Sequence, residues 1–166
     1  KRGEIWDNQG LSYITDSALA ISYDSKDSLY IHGDTLWMSF NKERQAKKMM
    51  AYYNVRMYRK DLQAKCDSMI YSMNDSTLRF MNDPVLWSGK NQLSADSINL
   101  VASGGEIDSL IMFNSAFIIS RDSLKLFNQI KGKNMVGYFV DNELVKINVD
   151  GNAQTVYWIR EEDGYL

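Results

Sequence analysis

Asp96-Ser97-Ile98-Asn99-Leu100-Val101-Ala102-Ser103-Gly104-Gly105-Glu106-Ile107-Asp108-Ser109-Leu110-Ile111-Met112-Phe113 gives one instruction twice: an Asp-Ser pair, then an apolar run. Asp and Ser bond their own backbone in turns and fit poorly into ladders, whereas the residues after them suit a pleated surface. Ile98, Leu100 and Ala102 alternate along the first copy, the mark of a half-buried strand. Ser103-Gly104-Gly105 reads as a turn, and Leu110 to Phe113 form a continuous apolar run. The stretch therefore reads as turn, strand, turn, strand.

The phrase recurs at Asp27-Ser28-Leu29-Tyr30-Ile31, Asp67-Ser68-Met69-Ile70-Tyr71 and Asp122-Ser123-Leu124-Lys125-Leu126, each time as an expected strand start. Such repetition indicates a stacked or folded-over sheet. Leu29 and Ile31 share one face, as do Tyr53, Val55 and Met57. Leu78 and Phe80 precede the turn Asn82-Asp83-Pro84, and Val85 and Trp87 precede the turn Ser88-Gly89-Lys90-Asn91. Ala116 to Ile119 form a second apolar run. Val136, Tyr138 and Val140 alternate up to Asp141-Asn142; Val145, Ile147 and Val149 alternate up to Asp150-Gly151-Asn152; Val156 and Trp158 close the series. Asp-Asn and Asp-Gly between alternating runs are hairpin signals. Gly89-Lys90-Asn91-Gln92-Leu93 is echoed by Gly132-Lys133-Asn134-Met135-Val136, each expected to begin a strand after a tight turn. Only Asn41 to Met50, with Lys42, Glu43, Arg44, Lys47 and Lys48, breaks the pattern. It reads as one or two helical turns or a charged loop, either solvated or a basic contact for an anionic headgroup. The sum is about ten to twelve short strands and almost no helix, an all-β sandwich, barrel, roll or solenoid.

The 166 residues suit a single domain with a real core. A net charge of −2 argues against general nucleic-acid binding, which needs a strong basic excess. No stretch approaches the roughly 18 consecutive apolar residues of a membrane helix. The chain opens at Lys1 without Met, as a mature form or a domain excised from a longer protein would. The absence of a signal peptide therefore carries no information on compartment.

The residues for chemistry are few. One Cys, Cys66, cannot form an internal disulfide, and with the single His32 it is too little for a zinc site. His32, beside Gly33, reads as a structural or surface histidine, and Cys66 as a buried, inert thiol. No glycine-rich loop opens a helix to cradle a phosphate. A pair of carboxylates about 5–9 Å apart would suffice for glycoside hydrolysis. However, Asp24, Asp27, Asp67, Asp96, Asp108 and Asp122 all precede Ser, and turn chemistry accounts for them. The expectation is no catalytic residue, no cofactor and no metal site. The remaining signal is apolar: 9 Met, 10 Tyr, 6 Phe and 4 Trp. Flexible Met adapts to irregular partners such as acyl chains, though a packed core has the same composition.

Many short phrases, in order, resemble the OstA-like family, which includes LptA-like lipopolysaccharide-transport proteins. They are Tyr13-Ile14-Thr15-Asp16-Ser17-Ala18, Asp27-Ser28-Leu29-Tyr30-Ile31-His32-Gly33-Asp34-Thr35-Leu36, Val55-Arg56-Met57-Tyr58 and Cys66-Asp67-Ser68-Met69-Ile70-Tyr71. The series continues through Asn82-Asp83-Pro84-Val85-Leu86-Trp87, Gln92-Leu93-Ser94-Ala95-Asp96-Ser97-Ile98 and Asn128-Gln129-Ile130-Lys131-Gly132-Lys133-Asn134-Met135, ending near Gly151-Asn152-Ala153-Gln154-Thr155-Val156-Tyr157. The resemblance implies a folded-over antiparallel β-jellyroll over residues 1–166, V-shaped and open-ended. It implies a place in the periplasm of a Gram-negative cell envelope and a part in outer-membrane biogenesis. The implied partners are lipopolysaccharide or a similar amphiphile, and other OstA-like domains joined by edge-strand pairing. It brings no catalytic residues with it.

Two readings follow. The first is a non-enzymatic lipid carrier whose apolar trough shields acyl chains. The second is a structural or interaction β-repeat domain of an envelope protein, with a closed core. The apolar positions expected to line the interior are Leu29, Ile31, Val55, Met57, Leu78, Phe80, Ile98 and Leu100 in the first part of the chain. Leu110, Met112, Phe117, Ile119, Val145, Ile147, Val156 and Trp158 complete the set.

Overall fold

In the computed structural model, three strands far longer than the usual five or six residues set the frame. They are β2 (Leu11–Tyr23), β3 (Ser28–Phe40) and β4 (Ala46–Tyr58). The structure describes residues 2–6, 9–23, 28–104, 106–122, 126–161 and 164–165. Asp24, Asp27, Gly105 and Ser123 to Lys125, to which parts of the sequence reading refer, lie outside that set. A short edge strand, β1 (Gly3–Trp6), pairs with Leu11–Ile14 of β2, and β3 and β4 follow in antiparallel order.

The sheet forks at β5 (Gln63–Ser72). Its second half, Ser68–Ser72, pairs with β6 (Thr77–Met81), whereas Gln63–Lys65 pair with β7 (Val85–Ser88). From there the chain weaves between two arms. The first arm runs from β6 through β9 (Ser97–Ser103), β10 (Glu106–Phe113) and β13 (Asn134–Val140) to β14 (Glu143–Asp150). The second runs from β7 through β8 (Asn91–Ser94), β11 (Ala116–Arg121) and β12 (Phe127–Gly132) to β15 (Gln154–Val156). β16 (Arg160–Glu161) and β17 (Gly164–Tyr165) pair with each other. Every pairing among the described residues is antiparallel, and the result is the all-β, folded-over, open jellyroll that the family resemblance implies.

A crease separates the arms and crosses every long strand. The register breaks between Thr15 and Ala18 of β2, between His32 and Thr35 of β3, and between Tyr52 and Val55 of β4. Extra residues of this kind bend a strand and sharpen its twist. The backbone there turns left-handed at Asp16 (φ 63°), Ser17 (60°), Asn54 (54°), Asn82 (62°), Asp83 (55°), Asn114 (55°) and Ser115 (51°). Asp and Asn tolerate this region because their short polar side chains bond locally. Asn54 Nδ2 donates to Asp34 Oδ2 at 2.8 Å, and Asn82 Nδ2 donates to Asp67 Oδ2 at 3.1 Å. Farther along, the Asp96 N–H reaches the Asn114 carbonyl (3.1 Å), the Asn114 N–H reaches Asn134 Oδ1 (3.1 Å), and the Lys133 N–H reaches the Gly151 carbonyl (2.7 Å).

The crease corrects several sequence expectations. Asp96-Ser97 does precede β9, but Asp67-Ser68 lies inside β5 and Asp108-Ser109 inside β10, where Asp108 is bulged out of register. Asn82-Asp83-Pro84 is a crossing from one arm to the other. So is Asp150-Gly151-Asn152: β15 pairs with β12 in the second arm, not back onto β14. The echo at Gly132-Lys133-Asn134 is likewise a crossing, while Gly89-Lys90 is a true hairpin turn, as is Asp141-Asn142. Asn41 to Met50 holds a tight turn closed by the Gln45 N–H on Asn41 Oδ1 (2.8 Å), and β4 begins directly at Ala46. The strand count is seventeen among the described residues, with the edge strand β1 and the separate β16–β17 pair among those beyond the expected ten to twelve.

The inward faces of both arms form one continuous core. Leu36, Ala51, Met69, Phe80, Ile98, Met112 and Met135 fall in a single cross-strand row on the first arm. Facing them is the row of Ile31, Met57, Ala64, Leu86, Leu93 and Ile118 on the second. Gly137 interrupts the pattern because Leu144 occupies the space its Cβ would take, at 2.8 Å. Replacing Asn82 tests the crease. Asn82→Val forces a β-branched residue left-handed and should destabilise by about 1–2 kcal/mol more than Asn82→Gly in urea unfolding. Equal losses would mean that the Asp67 bond, not the backbone, matters there.

Candidate functional site

Where the arms diverge, farthest from the crease, their tips leave a cleft of about 330 Å³. Leu29, Met57 and Leu62 line it from the second-arm side, and Tyr71, Leu78, Leu100 and Ala102 from the first. Strand parity puts them there. Met57 continues the inward set of Val55, and Leu78 and Leu100 continue those of Phe80 and Ile98, one step farther from the crease.

The rim is polar. Arg59 closes the β4–β5 turn through mutual backbone bonds with Leu62 and a two-pronged pair with Asp61, Nε to Oδ1 at 2.6 Å and Nη2 to Oδ2 at 2.9 Å. Forked pairs of this kind hold direction as well as charge. Across the opening, Asn142 Oδ1 accepts the Ile107 N–H at 2.8 Å, which ties the β13–β14 turn to the bulged start of β10. Lys60, Asp61 and Glu106 complete a rim of both signs. An apolar floor under a charged rim suits an amphiphile whose tail leaves water while its head does not.

The predicted interior residues divide into three groups. Leu29, Met57, Leu78 and Leu100 meet at the cleft. Ile31, Val55, Phe80, Ile98, Leu110 and Met112 are buried deeper, with Ile147 half-buried against them. The rest do not face inward. In β11 the inward residues are Ala116 and Ile118, so Phe117 and Ile119 point out; a continuous apolar run carries no parity. Val145 is 59% exposed because the register slips between Tyr138 and Phe139, leaving Leu144 and Ile147 to turn inward on either side of it. Val156 and Trp158 lie on the outward side of the last strand pair, where the Trp158 indole N–H reaches the Phe127 carbonyl at 3.1 Å. Leu62, Tyr71 and Ala102 also line the cleft, beyond the interior positions expected from the sequence. Tyr71 and Ala102 share parity with Met69 and Leu100, a signal present in the sequence.

Cys66 lies inward beside the crease, its thiol donating to the Ser68 carbonyl at 3.2 Å, and burial pushes its pKa up to about 12. It is a neutral packing group rather than a nucleophile. His32 sits on the opposite, outward face of β3, its Nδ1 buried and without a hydrogen-bond partner among the described residues. At the first-arm tip a hydrogen bond from Ser72, helped by Arg79, holds the exposed Asp75 carboxyl down at about 2. Among the described residues no three His, Cys, Asp or Glu side chains group as a metal would need.

The family described as LptA/(LptD N-terminal domain) LPS transport protein matches residues 23–105. That half of the chain contains β3 to β9: two full-length strands, the fork and most of the cleft. No curated protein matches the chain.

Because the folded thiol titrates above its unfolded value, the stability it contributes is complete below about pH 9 and is lost as pH rises toward about 12. The melting temperatures of the wild type and Cys66→Ala, compared across that window, should converge as pH climbs. At neutral pH Cys66→Ser and His32→Gln should leave amphiphile binding within severalfold. Complete loss in a folded variant would point to chemistry at one of these groups.

Proposed function

The chain belongs to the LptA/(LptD N-terminal domain) family of LPS transport proteins, and on that premise we propose that it carries acyl chains in the cleft between its arms. The cargo in this reading is lipopolysaccharide or a closely similar amphiphile, and the setting is the periplasm of a Gram-negative envelope. The work is non-enzymatic: apolar surface is shielded while sugars stay in water. The observation that carries the reading is the convergence of Leu29, Met57, Leu62, Leu78 and Leu100 at an opening with a charged rim. Each buried CH₂ stabilises by roughly 0.8 kcal/mol, so a groove of ordinary leucines holds a tail without a decisive residue.

The sheet edges fit a role among like domains. β1 covers only Leu11–Ile14 of β2, so Ala18–Tyr23 has β3 on one side alone, with Leu19, Ile21 and Tyr23 exposed. At the other end β14 and β15 each have a single partner among the described residues. Open edges of this kind either pair or aggregate. A neighbouring OstA-like domain is the partner we infer. The second reading, a closed interaction domain, draws on the tight packing near the crease, where Met69, Phe80 and Ile98 are fully buried.

Site-specific photocrosslinking separates the two readings, with lipid in the purified protein identified by mass spectrometry. Probes at Leu78 and Leu100 should label lipid, and outward probes at Asn99 and Lys146 should not. Labelling at Asn99 and Lys146 alone would reverse the faces, and labelling at neither set would favour the closed domain. Leu100→Asp must lose water beside the tail, a cost of several kcal/mol. It should abolish labelling from Leu78, with thermal stability measured alongside to control for folding.

Association should rise with concentration in light scattering, since head-to-tail pairing need not close on itself. Leu19→Lys with Ile21→Lys should weaken it by placing cations beside the open stretch of β2. A strict monomer at high concentration would count against edge pairing.

A further inference from the structure

The second arm has an outward face with its own pattern, independent of the cleft. Cross-strand register assembles two rows on it, each crossing the nine strands from β2 to β15. The row nearer the crease places His32 opposite Arg56 and Arg56 opposite Lys65, and farther along puts Lys131 opposite Phe117. The row beside it joins Tyr30 to Tyr58, then Trp87, Ile119 and Val156. None of the positions in either row is Asp or Glu.

Three observations ask for a ligand here. Arg56 and Lys65 are exposed and directly opposite, an arrangement that is destabilising unless an anion lies between them. Neither has an ion-pair partner among the described residues. Beside them the aromatic row stays uncovered, with Tyr58 54% and Val156 51% exposed, and Phe127 and Trp158 extend it at the tip. The first arm differs. There Arg79 is paired with Asp75, Lys146 lies over the Tyr138 ring, and Glu4 and Asp150 add negative charge.

We propose that the outward face of the second arm docks on an anionic bilayer surface, with phosphates between Arg56 and Lys65 and the aromatic row at headgroup depth. Tyr and Trp suit that depth because one end of each ring is apolar and the other polar. The rows lie about 7 Å apart and extend about 40 Å, dimensions set by strand rise and strand spacing. A broad two-row pattern without a pocket matches a surface rather than a single small anion.

The test is co-sedimentation of the full chain with vesicles of phosphatidylcholine alone or with about a third phosphatidylglycerol. Binding should require the anionic lipid and fall as salt rises. Removing one cation should weaken it about fivefold, and Arg56→Gln with Lys65→Gln about thirtyfold. Arg56→Lys should retain binding, and Trp87→Ala should weaken it severalfold. Lys48→Gln with Lys146→Gln, on the first arm, should change nothing. The Arg56→Gln with Lys65→Gln variant should keep full lipid labelling from a probe at Leu78, so failure of the cleft reading and failure of this one are told apart. Equal binding to both vesicles, or equal losses from the first-arm variants, would overturn the proposal. So would capture of a soluble acidic polypeptide with no binding to either vesicle.

Discussion

An antiparallel ladder passes its geometry from strand to strand, so a bend in one strand must be met by a bend in the next. In this chain that constraint produces a single line of bulges and left-handed residues from Asp16-Ser17 to Gly151-Asn152. The polar side chains on the line satisfy backbone and one another, as in Asn54 on Asp34 and Asn82 on Asp67. Without it the apolar faces of β2 to β5 would lie in one sheet with nothing to cover them. With it, each strand's two halves face one another and supply their own core.

The crease also decides what each position can do. It sets which parity is inward in each arm, and distance from it sets depth. Phe80 and Ile98 are close to it and fully buried, whereas Leu78 and Leu100, one inward step away, reach the cleft. The same parity fills the opposite face of the second arm with Tyr30, Tyr58 and Trp87 beside Arg56 and Lys65. One strand thus serves the core and a solvent face with different chemistries, which only a sheet with period-two alternation allows.

Alternation made the strands legible, and hairpins such as Asp141-Asn142 were readable from turn chemistry. Alternating residues do point into the core at Leu29 and Ile31, Leu78 and Phe80, and Ile98 and Leu100, whereas at Val145 and Val156 the same alternation points out. Two features of the chain keep the inward face from being read. Ala116 to Ile119 is apolar throughout, and the bulge beside Val145 shifts phase in a way that no residue type announces. Crossings were harder still. Asp150-Gly151-Asn152 has the composition of a hairpin turn, and only the long-range pairing of β15 with β12 shows that the chain changes arms there. The cleft itself could not be read from sequence, because it is made by two arms meeting and not by any one segment.

The arms are not joined in the same way along their length. β2, β3, β4 and β5 run through the crease unbroken, whereas each strand from β6 to β15 has one end at it, and the chain crosses on a few residues at 82–84, 95–96, 114–115, 133 and 151–153. Opening the angle at the first end means bending four hydrogen-bonded strands together; at the other end it means rotating short links of one to three residues. The V therefore has a graded stiffness, rigid at its amino-terminal end and yielding at its carboxy-terminal end. It would spread like a fan rather than a hinge, and anything held between the arms would meet a trough with a built-in direction.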